Sequence, residues 1–100
     1  MYSTQVSFPT AGGVVIVAKA TDVSGTAFTA FDSAACNALD IVNTTGHAIE
    51  YRRNGVGATI TVPDNSSRLV VGVRDAANIS FRRVDQSATP VTLTAEALVP

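Results

Sequence analysis

Apolar and polar residues alternate along most of this chain with a period of two. In "AIEYRR", Ile49 and Tyr51 share one face while Glu50 and Arg52 share the other. In "NISFRR", Ile79 and Phe81 point one way and Ser80 and Arg82 the other. "ATITVP" groups Ile60 with Val62, and "RLVVGVR" groups Leu69, Val71 and Val73. "VTLTAEALV" groups Val91, Leu93, Ala95, Ala97 and Val99 against Thr92, Thr94 and Glu96. This is the spacing of half-buried strands, and nowhere does an i, i+3, i+4, i+7 pattern last beyond about one turn. The turn segments "TTGH", "NGVG", "PDNSS", "RDAAN" and "DQSATP" separate the runs. Asn54-Gly55 is the strongest hairpin signal, joining 48–53 to 58–62.

Further strands are expected in "QVSF", "VVIVAKA" and "TAFTAF", divided by Pro9-Thr10-Ala11-Gly12-Gly13 and by Asp22 to Gly25. The run "GGVVIVA" does not alternate, which suits a strand central in a sandwich or one covered by another subunit. "DSAACNALD", residues 32–40, is the one candidate for a short helical turn. The fold class expected is all-β: a compact antiparallel β-sandwich or barrel of about eight or nine short strands. Ile49, Tyr51, Ile60, Val62, Leu69, Val71, Ile79, Phe81 and Leu93 are expected in one core. Residues 1–100 are read as a single domain, with 1–18 as an attachment strand or arm.

Two phrases in the chain are nearly the same. "AIEYRRNG" (48–55) and "NISFRRVD" (78–85) both run Ile, polar, aromatic, Arg, Arg. A polar turn follows each, and then a returning strand. Two similar hairpins packed as equivalent halves of one sandwich would explain the repeat, with the aromatic residues inward. Period two then takes Arg52 and Arg82 off the core face. Arg53 and Arg83 share the aromatic face but sit at strand ends, where they can snorkel outward.

Composition narrows the function. Of 100 residues, 46% are apolar and 15% charged, against about 25% charged in an average soluble domain. So sparse a charged surface favours a protein that buries part of its outside in an assembly. The net charge of −1 argues against a general nucleic-acid binder, which needs uncompensated cations to displace counterions. Charge is uneven: Lys19 against Asp22, Asp32, Asp40 and Glu50 leaves residues 1–50 at −3, whereas the six Arg of 51–100 outweigh four acids to give +2. The halves either neutralise on folding or form complementary patches between subunits.

Catalytic signals are weak. His47 is the single histidine, in a Gly-containing turn, and Cys36 is the single cysteine. They exclude an internal disulfide and a tetrahedral zinc set. A Cys36–His47 nucleophile pair has no indicated orienting group, and a cysteine among alanines reads as a small buried hydrophobe. No serine lies in G-x-S-x-G, and no cofactor site is indicated. The sequons "NTT", "NSS" and "NIS" read as Asn-Ser/Thr turn chemistry. The N-terminus lacks a positive first region and its apolar run is about eight residues, so neither a signal peptide nor a membrane span is expected.

Residues 39–99, with "IVNTTG", "IEYRRNG", a Pro-containing turn, "ISFRRVD" and a closing "TLTAEALV", resemble small virion proteins of tailed bacteriophages. The resemblance implies a structural role on the particle, foremost as a capsid decoration (cement) protein made in the host bacterial cytoplasm. The implied partner is the major capsid protein or another virion protein, together with further copies of the chain in a homo-oligomer such as a trimer. No specific nucleic acid and no membrane are expected as partners. The alternatives are a tail, neck or baseplate accessory protein, or a carbohydrate-binding β-sandwich module. The interface candidates are Arg52, Arg53, Arg82 and Arg83, with the apolar run Val14, Val15, Ile16 and Val17.

Overall fold

The structure, a computed structural model, describes residues 13–99. The expected strand at 5–8 and most of the attachment arm lie outside the described residues. Among these residues eight strands run in the order β1 (Gly13–Ala20), β2 (Thr29–Ala30), β3 (Ala38–Asn43), β4 (Ile49–Arg53), β5 (Val56–Val62), β6 (Ser66–Val71), β7 (Ile79–Arg83) and β8 (Thr92–Val99). They form two four-stranded sheets, ordered β1-β8-β3-β6 and β2-β7-β4-β5. Every pairing is antiparallel. The all-β expectation is met, as an open sandwich and not a closed barrel.

Alternation does what it was expected to do in β4, β5, β7 and β8. Ile49, Tyr51, Val62, Ile79, Phe81, Leu93, Ala95 and Ala97 are all buried, and Ile60 packs against them half-covered. Asn54 (φ 53°) and Gly55 (φ 70°) both take positive φ in the β4–β5 hairpin, as its tight turn requires. Phe31, just after β2, tilts against Phe81 with ring centroids 4.7 Å apart.

Three expectations are corrected. Residues 32–40 form no helical turn: Ala35 bridges Asp75, and Ala38 already begins β3. Leu39 and Ile41 are fully buried at a spacing of two, so tertiary burial overrides a short helical preference. The one helical turn among the described residues is 3-10, at Ala76–Asn78, capped by the Asp75 carboxylate on the Ala77 N–H.

Leu69 and Val71 face outward at 53% and 60% exposure, whereas Val70 and Val73 are buried. Gly72 has φ 74°, which breaks the alternation and turns Val73 inward one position out of phase. Counting back from Val73 therefore puts β6 on the wrong face.

The repeated phrases are not equivalent halves either. β4 and β7 lie side by side in one sheet, with Tyr51 opposite Phe81, Glu50 opposite Arg82 and Arg52 opposite Ser80. Copy one returns within its sheet through Asn54-Gly55. Copy two returns through residues 84–91 into the other sheet as β8.

Candidate protein interface

β4 and β7 present four arginines, and the fold treats each differently. On the outer face of the second sheet, the guanidinium carbons of Arg52 and Arg82 lie 4.0 and 4.4 Å from the Phe28 ring centroid. Arg82 donates from Nε to Glu50 (2.7 Å) and from Nη1 to the Thr26 carbonyl (2.7 Å). The loop carrying Thr26 and Phe28 is positioned by Gly25. This residue has φ 78°, and a Cβ there would run into the backbone carbonyls of Gln86 and Ser87. Arg52 forms no ion pair among the described residues, and its Nε is buried without a partner, as is the hydroxyl of Ser80 opposite it.

Arg83 does not snorkel. It is buried, and it binds Asp85 bidentately (2.9 and 2.7 Å), the Thr89 carbonyl (2.8 Å) and His47 Nδ1 (3.0 Å). The loop to β8 folds over the strand end and supplies the carboxylate and the carbonyl. Bonds from Arg83 and then the Ser87 N–H hold the Asp85 carboxyl below its ordinary range. Arg53 is exposed, as expected for a strand end, and borders a cleft of about 40 Å³ with Asn54, Gly72 and Asn78.

Among the described residues β1 is not a central strand: it pairs with β8 alone and forms an edge of the first sheet. Val14, Val15 and Ile16 are 53%, 47% and 59% exposed, and only Val17 of the four candidates is buried. Natural edges are usually protected by charge, proline or a bulge. β1 carries one charge, Lys19, tied to Asp32 at 2.8 Å.

The outer face of the first sheet was not singled out from the sequence. The register lines up Val14, Leu98, Ala38 and Val71 in one row, and Ile16, Glu96, Asp40 and Leu69 in the next. The signal that could have found it was Leu69-Val70-Val71, an apolar run that no single buried face can absorb.

Catalytic pairing is not assembled. Cys36 lies before β3, its thiol pointing at the Val73 carbonyl (3.6 Å) and its pKa pushed up by burial and then by Asp75. His47 lies beyond the other end of β3, beside Arg83. Asn43, of the sequon "NTT", is fully buried. Its amide donates to the carbonyls of His47 (2.8 Å) and Val62 (2.9 Å), and its oxygen accepts from Thr45. That is the turn role expected of it. Among the described residues, no group of three His, Cys, Asp or Glu could hold a metal ion, and no helix is long and apolar enough to cross a membrane.

Set against protein-family models, curated proteins and solved structures, the chain has no significant match.

Proposed function

We propose that the protein is a non-enzymatic structural component of a tailed-phage particle, foremost a head decoration subunit that binds and stabilises the capsid lattice. The observation that carries this reading is β1: an eight-residue edge strand with Val14, Val15 and Ile16 exposed and no strand on its outer side among the described residues. Such an edge offers a row of backbone donors and acceptors to a neighbouring chain, with apolar side chains to seal the contact. Low charge and the phrase-level resemblance of residues 39–99 to virion proteins support the same reading. A subunit that binds the assembled shell and not its dissociated parts stabilises the shell by mass action.

The test is co-sedimentation and cryo-EM with heads assembled without the protein. The wild-type chain should occupy the head lattice, and Val14→Lys/Ile16→Lys should leave it empty while remaining folded. Equal occupancy by the double variant would remove β1 as the attachment strand. Density on the tail or neck alone would make the protein an accessory of that part.

A further inference from the structure

We infer that copies of this chain dock head to tail, the outer face of the first sheet of one copy against the outer face of the second sheet of the next. The first face is built from the rows Val14–Leu98–Ala38–Val71, Ile16–Glu96–Asp40–Leu69 and Ala18–Thr94–Val42–Ser67. Among the described residues its only charges are Asp40 and Glu96, which sit directly opposite each other across β3 and β8. Neither forms an ion pair or side-chain hydrogen bond among the described residues. Like charges directly opposite are unfavourable within a sheet. Here they form a half-buried acidic centre, framed by Ile16, Leu69 and Val71, which are more than half exposed. An acidic centre in an apolar frame fits a cation that arrives with apolar surface around it.

The second face has that form. Arg52 and Arg82 lie diagonally across β4 and β7 on the Phe28 ring, with Ala30 beside them. Glu50 neutralises Arg82. Arg52 is left as a cation without a carboxylate among the described residues. A carboxylate from the next copy would give its planar fork the acceptor that Phe28 cannot supply.

Sign selects the pairing. Two acidic faces together would juxtapose four carboxylates, and two Phe28 faces would juxtapose unpaired arginines, both of which complementarity forbids. Only the mixed contact brings opposite charges together. Such a contact is heterologous, so it extends as an open stack or closes as a ring. It involves no particle and does not rest on attachment through β1.

The experiment is sedimentation equilibrium of purified protein alone. Wild-type chain should self-associate with rising concentration, more weakly in high salt. Asp40→Lys/Glu96→Lys and Arg52→Ala should each associate at least about tenfold more weakly by themselves. Mixed in equal amounts, they should form a one-to-one dimer and stop there, because each retains the face the other lacks. Asp40→Asn/Glu96→Gln is the milder variant and should fall between wild type and the lysine pair; it carries the test if that pair misfolds. Wild-type protein monomeric at about 1 mM, or variants that stay apart when mixed, would overturn the inference. So would an unchanged affinity in the Asp40/Glu96 variants.

Discussion

Tyr51-Arg52-Arg53 and Phe81-Arg82-Arg83 share the order aromatic, Arg, Arg on neighbouring strands of one sheet, aromatic opposite aromatic. Their arginines nonetheless end in different surroundings. Arg83 is buried with Asp85, Thr89 and His47, and Arg53 is exposed. Arg82 is paired with Glu50, and Arg52 rests on Phe28 without an acid. The difference lies in the connection that leaves each strand. A two-residue turn after Arg53 sends the chain straight back and leaves the strand end open. Eight residues after Arg83 cross to the other sheet, and on the way they cover the guanidinium with carboxylate and carbonyl oxygens. Local sequence placed these side chains on a face; the connection decided whether that place was core or surface.

The largest effect is expected at the aromatics that the two strands set side by side. Phe81→Ala removes a fully buried ring packed on Phe31 and should cost about 3–5 kcal/mol in chemical denaturation. A loss below about 1 kcal/mol would mean that the centre of the sheet can collapse around the cavity.

Next comes the contrast between Arg83 and Arg53. Arg83→Met gives up a bidentate carboxylate contact and strands the Thr89 carbonyl, so about 2–3 kcal/mol should be lost. Arg53→Met should stay within about 0.5 kcal/mol of wild type, as an exposed substitution does. Equal effects in thermal melts would erase the distinction between covered and open strand ends.

The outer-face arginines separate the two strands again. Arg82→Ala should cost about 1–2 kcal/mol, since Glu50 and the Thr26 carbonyl both lose a charged donor. Arg52→Ala should cost about 0.5–1 kcal/mol through the lost stacking on Phe28. Reversal of that order would mean that Arg52, not Arg82, anchors the loop of Thr26 and Phe28.

The smallest effect is in pH. The Asp85 carboxyl is held low chiefly by Arg83, so its stabilising contribution is complete above the ordinary carboxylate value of about 3.9. It disappears as pH falls through the lower folded value. Asp75, held low by the Ala77 N–H, the Ser33 hydroxyl and the Ala34 N–H, behaves the same way. The melting temperature should therefore drop on acidification below about pH 4, less steeply in Arg83→Met than in wild type. Parallel acid curves for the two proteins would show that Asp85 draws nothing from Arg83.

Period-two alternation by itself determined an all-β chain, the inward residues of β4, β5, β7 and β8, and the hairpin at Asn54-Gly55. These depend on neighbours in sequence: side-chain direction along a strand, and positive φ at a turn. A sandwich or barrel was legible for the same reason, because many short strands with one apolar face have to stack or close; the two open sheets were decided by the tertiary structure. Other features were decided only by the tertiary structure. β3 replaced a helical reading once Leu39 and Ile41 found a core to enter. Gly72, by leaving the extended conformation, put Leu69 and Val71 outside. The choice of edge strand exposed Val14 and Ile16 and set them in the rows that end at Val71 and Leu69. Asp40 and Glu96 are 56 positions apart in the chain and meet only through the β3–β8 register. Strand order and register are set by long-range packing, and no local pattern carries them.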